Sequence, residues 1–152
     1  YFQSMRVIDI IKTKGSEVVS LPPSTTIGDL VDVLQKRRIG AVVVVDEGSL
    51  AGIVSERDVV RFVRDALTLE DPLSAIMTTT VITCSPEDEA RDLAEIMTKQ
   101  RFRHLPVVED GDLVGIVSIG DIVKARLDEL EAERDHLVGY VHGRGALQGT
   151  PE

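Results

Sequence analysis

The chain has 152 residues, 43% of them hydrophobic but only 3% aromatic, so one domain, or two very small ones, must build its core from Val, Ile, Leu and Ala. A formal charge of −9, from 26 acidic against 17 basic residues, speaks against a nucleic acid partner, which wants a basic stripe. No apolar run approaches the roughly 18 residues a membrane span needs, no leader pattern points to secretion, and the single Cys84 excludes an intrachain disulfide and fits a reducing cytoplasm.

In chain order, YFQSM (Tyr1–Met5) reads as a protease-cleaved tag remnant, with Met5 as the natural start. A β-branched segment, EVVSL (Glu17–Leu21), predicts a strand. Ile27, Leu30, Val31 and Leu34 then recur at i, i+3, i+4, i+7, the stripe of a helix buried on one face. The runs GAVVVVD and LAGIVS, separated by Glu47-Gly48, predict a hairpin, and a second helix is expected to start after Ser55.

The same order then repeats. A shift of 63 aligns Glu17–Val60 with Thr80–Val123, and about 16 of 44 positions are identical. The second copy offers the segment TVITC (Thr80–Cys84), then Ser85-Pro86 as N-cap and first helical residue of a helix whose stripe is Ala90, Leu93, Ala94 and Met97. It closes with RHLPVVE, a turn at Asp110-Gly111, LVGIVS, and a helix after Ser118. The fold class expected is therefore α+β, two β-α-β-β-α repeats over residues 6–66 and 67–125. One such unit is too small to cover its own apolar face, so the duplication is first a device for stability.

The last helix runs past the repeat, giving a C-terminal extension over residues 126–142. Val123, Leu127, Leu130, Leu137 and Val141 fall at heptad-like spacing interrupted by Arg134, the pattern of packing against another helix or subunit. Residues 143–152, rich in Gly, are expected to form a flexible tail.

The most specific repeat is GIVSERD (Gly52–Asp58) against GIVSIGD (Gly115–Asp121). Ser-x-x-Asp before an apolar run is in the first place a helix start, in which hydroxyl and carboxylate satisfy orphan N–H groups. Three features favour a binding wall as well. The third position is Asp where capping boxes prefer Glu or Gln. A Gly sits inside each strand, where it costs stability unless something approaches the backbone. Finally, two related helix N-termini offer N–H groups for phosphate beside a carboxylate able to grip vicinal hydroxyls. A phosphate plus a diol describes a nucleotide.

With LPVVEDGDLVGIVSIGDIV as its plainest passage, the duplicated unit resembles a tandem cystathionine-β-synthase-type (CBS) domain pair, a Bateman module, over about residues 7–125. The resemblance implies a pseudo-two-fold pair with two clefts that take adenosine compounds such as AMP, ADP, ATP, NAD(H) or S-adenosylmethionine, AMP first among them, with no other cofactor and no metal. It implies that Asp58 and Asp121 grip ribose hydroxyls, with Ser55 and Ser118 beside ribose or phosphate and Ile53 and Ile116 along the wall. Each cleft would be completed by the other repeat: Asp58 by Thr80, Ile82, Arg103 and His104, and Asp121 by Val18, Val19, Gly40 and Ala41. Because Arg103 and His104 offer phosphate a cation and a ring nitrogen and Gly40 and Ala41 offer neither, the Asp58 cleft, helped by Arg57, is expected to be the better phosphate binder.

No G-x-S-x-G, Walker loop, HExxH or C-x-x-C occurs, which points away from an enzyme. His104, His136 and His142 have no metal-ligand spacing with Cys84. The function expected is a cytoplasmic, homodimeric regulatory module for signal transduction that senses an adenosyl ligand, with the C-terminal helix as a possible protein contact. The competing expectation is a constitutive dimeric scaffold with vestigial clefts.

Overall fold

A computed structural model describes residues 4–147, with side chains through Gly139. Its elements are α1 (Val7–Lys14), β1 (Ser20–Leu21), α2 (Ile27–Arg37), β2 (Ala41–Asp46), β3 (Ser49–Ser55), α3 (Glu56–Arg64), α4 (Ala90–Gln100), β4 (His104–Glu109), β5 (Asp112–Ser118) and α5 (Ile119–Leu147), with one 3₁₀ turn at Leu73–Ala75. The α+β class and the long final helix are as the sequence predicts.

The chain forms two compact units that cut across the repeats. One holds the chain up to Gly15, Ser85–Arg103 and the chain from Val117 on; the other holds Ser16–Cys84 and His104–Ile116.

The second unit contains the three-stranded sheet β1-β2-β3 and most of the two-stranded sheet β4-β5. β1 runs parallel to β2, and β2 pairs antiparallel with β3 through a register shift at Val44/Val45. Both hairpin turns use left-handed backbone at two successive residues, Glu47 (φ 49°) and Gly48 (φ 81°), then Asp110 (φ 51°) and Gly111 (φ 83°), the geometry that matches strand twist. Helix α2 opens on Thr26, whose hydroxyl accepts the Asp29 N–H at 3.1 Å. Its stripe Ile27, Leu30 and Leu34 packs into one core with Val42, Val44, Val54, Leu73 and Ile76, the period-3.6 face meeting the period-2 face of the strands.

In the first unit the buried residues include Val7, Ile10 and Ile11 of α1, Ala90, Leu93 and Met97 of α4, and Ile122, Ala125 and Glu129 of α5. The N-terminal segment is tied in by backbone bonds: Val7 N–H to Asp88 O at 2.9 Å, Ile8 N–H to Pro86 O at 2.9 Å, and Ala90 N–H to Met5 O at 2.9 Å.

Several expectations change. The strand expected over Glu17–Leu21 shrinks to Ser20–Leu21, and that over Thr80–Cys84 to one parallel bridge between Cys84 and Val107. Each flanks its hairpin only at its end, and β propensity alone does not hold backbone to a sheet. Ser85-Pro86 does not cap α4: the helix begins at Ala90 with Glu89 as N-cap. The Ser85 N–H instead bonds the Asp88 carboxylate at 2.8 Å, closing a turn ahead of the helix. Ahead of the first strand segment of each repeat runs a lead-in, the helix α1 in the first and the 3₁₀ turn Leu73–Ala75 with the residues up to Thr78 in the second. Helix α5 continues to Leu147, so residues 143–147 of the expected tail are helical backbone, and residues 148–152 and 1–3 lie outside the described residues.

Candidate functional site

The two Ser-x-x-Asp steps sit where strand becomes helix, β3 into α3 and β5 into α5. Their backbone geometry repeats in detail. The Ser55 N–H donates to Asp58 Oδ2 at 2.9 Å, and the Ser118 N–H to Asp121 Oδ2 at 2.9 Å. The first helical N–H of each helix turns back to the residue before the hairpin, Glu56 to Gly40 O at 3.0 Å and Ile119 to Arg103 O at 2.8 Å. Each Asp is therefore a capping carboxylate at the positive end of a helix.

The side chains around the two carboxylates differ. Asp58 is 8% exposed, and both its oxygens are engaged. Oδ2 also accepts the Ser55 hydroxyl at 3.3 Å, while Oδ1 accepts Arg61 Nη2 at 3.0 Å and the Thr78 hydroxyl at 3.5 Å. Arg61 is held in turn by Ile76 O at 3.2 Å. Asp121 is 23% exposed and meets Lys14 Nζ at 2.7 Å, at the far end of α1. The Ser118 hydroxyl completes its box by accepting the Asp121 N–H at 3.2 Å. Burial works against the Asp121 carboxylate, but the Lys14 ammonium and the two Ser118 donors outweigh it and hold the group below its ordinary value.

Each carboxylate is thus met by the lead-in of the other repeat, with a hydroxyl from Thr78 in one case and an ammonium from Lys14 in the other. The lead-in also explains Gly52: a methyl group there would stand 2.7 Å from Thr78 O and 3.1 Å from Met77 Sδ. What approaches this strand glycine closely is the chain's own backbone.

Of the residues predicted for the Asp58 cleft, Ser55 and Asp58 are in contact, Ile53 is buried and Arg57 is exposed on the first turn of α3. Thr80 is exposed and Ile82 half-buried; the residue of that segment that touches Asp58 is Thr78. His104 lies in the unit of Asp58, and a methyl group on Gly40 would come within 3.4 Å of His104 Nε2 and 3.5 Å of Glu56 Oε1. Arg103, exposed, belongs to the other unit. For the second cleft, Ser118 and Asp121 fall in one unit, and Val18, Val19, Gly40, Ala41 and Ile116 in the other.

Sequence reading missed Thr78, Arg61 and Lys14. Arg61 was open to it as an i+3 partner of Asp58. Thr78 and Lys14 carried no local signal, because their contacts span 20 and 107 positions. Among the described residues no cluster of His, Cys, Asp or Glu could hold a metal, and no helix is long and apolar enough to cross a membrane.

The family model for the CBS domain matches twice, over residues 7–65 and 73–128. The chain belongs to the CBS domain family. Among solved structures, it is similar to a CBS-domain containing protein from Agrobacterium tumefaciens, 45% identical with a TM-score of 0.77, the match covering 80% of this chain and 99% of that one. A CBS domain protein from Pyrobaculum aerophilum, solved in complex with AMP, is 33% identical with a TM-score of 0.69 over 77% of this chain and 89% of its own. The CBS domain pair of protein MJ0100, in complex with 5-methylthioadenosine and S-adenosyl-L-methionine, is 27% identical with a TM-score of 0.72 over 80% and 95%.

Proposed function

We propose that this CBS pair is a non-catalytic regulatory module that binds an adenosine-containing ligand and thereby changes its association with a second copy or with another protein. The observation that carries this reading is the repeated geometry at the two helix starts, a carboxylate fixed at 2.9 Å by the Ser N–H beside it, in a fold whose relatives were solved with AMP and with S-adenosylmethionine. Ser55 and Asp58 with Ile53, Arg57, Thr80, Ile82 and His104 serve one ligand, and Ser118 and Asp121 anchor the other. AMP is the ligand we favour. A ligand shifts assembly only through different affinities for two arrangements, so its effect must show in both binding and association.

Homodimerisation is supported by the apolar residues left uncovered. Val123, Leu127, Leu130 and Leu137 on α5 are more than half exposed, as are Val60 and Val63 on α3, and apolar residues grouped in this way on one helix suit association better than solvation.

The buried, fully bonded Asp58 favours a second reading, a constitutive scaffold whose carboxylates only cap helices. Thermal melting in the presence of AMP, ATP, NADH and S-adenosylmethionine separates the two. At a hundred times its dissociation constant a ligand adds about 2.7 kcal/mol of apparent stability. The sensor reading expects such a shift for at least one compound and its reduction in Asp58→Ala or Asp121→Ala; melting curves unmoved by all four would leave the scaffold.

A further inference from the structure

We propose that Lys14 and Asp121 act together as the sugar-gripping element of the second-repeat site, the ammonium donating to one hydroxyl of a vicinal diol while the carboxylate accepts from its neighbour. The proposal rests on the adenosine reading above and adds to it a specificity-determining residue that lies outside both Ser-x-x-Asp steps.

A hydroxyl both donates and accepts, whereas a carboxylate only accepts and an ammonium only donates. A carboxylate alone reads the hydrogens of a diol; a carboxylate with an ammonium 2.7 Å away reads hydrogens and lone pairs together. Both partners here are positioned. Asp121 is fixed through Oδ2 by the Ser118 N–H at 2.9 Å. Lys14 ends α1, whose start is fastened by Val7 and Ile8 to the Pro86–Asp88 turn. Just before that start, the Met5 N–H donates to Glu129 Oε2 at 2.8 Å. The Lys14 and Asp121 side chains are 36% and 23% exposed, enough for a ligand to reach the pair.

An exposed ion pair is by default worth little. What sets this one apart is the contrast with the first repeat, where the equivalent carboxylate is 8% exposed and has both oxygens engaged by Ser55, Arg61 and Thr78. A diol would have to displace Arg61 or Thr78 to reach Asp58. At Asp121 it can insert alongside an ammonium on a flexible four-carbon stem. Lys14 thus supplies a cation at the sugar from a segment no motif singled out.

The test is calorimetric titration of AMP and 2′-deoxy-AMP into the wild-type chain, Lys14→Met, Lys14→Arg and Asp121→Asn, following the binding step that Asp121→Asn removes. Wild type should bind AMP about tenfold more tightly than 2′-deoxy-AMP at that step, the loss of one charge-assisted hydrogen bond. Lys14→Met should weaken AMP by about tenfold and leave 2′-deoxy-AMP nearly unchanged, bringing the ratio towards one, with Lys14→Arg keeping part of it. A merely structural Lys14 would weaken both nucleotides alike. An unchanged ratio, or tighter AMP binding in Lys14→Met, overturns the proposal while leaving the adenosine reading intact. If wild type binds neither nucleotide, or Asp121→Asn removes no step, the pair has no diol to grip and the proposal falls; in the first case AMP falls with it as the ligand.

Discussion

Ile53 and Thr78 exchange both of their backbone hydrogen bonds, Ile53 N–H to Thr78 O at 3.0 Å and Thr78 N–H to Ile53 O at 2.9 Å. This one pair brings the lead-in of the second repeat against β3 of the first. It places Thr78 at the Asp58 carboxylate and fills the space beside Gly52.

Gly52→Ala should therefore be strongly destabilising. The new methyl would meet a backbone carbonyl at 2.7 Å, and a carbonyl engaged with Ile53 cannot give way as a side-chain tip can. The expected cost is about 1–3 kcal/mol. Gly40→Ala, which meets only the ends of the His104 and Glu56 side chains at 3.4 and 3.5 Å, should stay within about 0.5 kcal/mol. Urea denaturation of the two variants side by side measures the difference.

Asp58→Ala should lower the melting temperature more than Asp121→Ala. Removing the buried carboxylate leaves the Ser55 N–H, Arg61 and Thr78 without their acceptor, at a cost of about 2–4 kcal/mol. Asp121 is more exposed, so water can serve its former donors, and the loss should be about 1 kcal/mol, that of a helix cap. Thermal melts at neutral pH compare them, and equal losses would contradict the difference in burial.

Stability should fall on acidification partly through Asp121. Its folded-state pKa is depressed, with burial opposing and Lys14 and Ser118 prevailing. Its contribution is thus fully present above the ordinary carboxylate pKa of about 3.9 and is lost as pH falls through the lower folded value. Asp121→Asn should flatten the acid limb of a stability–pH curve below about pH 4, and Lys14→Met should flatten it in part.

The uncovered stripe on α5 predicts an assembly that polar substitution breaks. Replacing Leu127 and Leu137 with Glu should shift the chain from dimer to monomer in light scattering, with little loss of thermal stability in the monomer, because both residues are already more than half exposed. A wild-type chain that is monomeric throughout would refute the dimer.

Glu129 is 3% exposed, between Arg126 Nη1 at 2.7 Å and the Met5 N–H at 2.8 Å. Glu129→Ala leaves a guanidinium and a backbone N–H without their shared acceptor and should cost about 1–3 kcal/mol. Hydrogen exchange should show lost protection at Met5–Ile8 first, since that segment is anchored there.

What the sequence by itself determined is what repeats locally. The stripes of α2 and α4, the two acidic-Gly turns and the helix starts at Ser55 and Ser118 follow from side-chain period, turn chemistry and capping, all of which act within a few residues. The duplication then doubled each signal, and the family followed from it. Only the tertiary structure decided where the units divide, how little of Glu17–Leu21 and Thr80–Cys84 is strand, and that Asp58 and Asp121 are not equivalent. The reason is range: Thr78 reaches Asp58 through strand pairing, and Lys14 reaches Asp121 across 107 positions. A carboxylate's neighbours at that separation are set by packing, which no periodicity records.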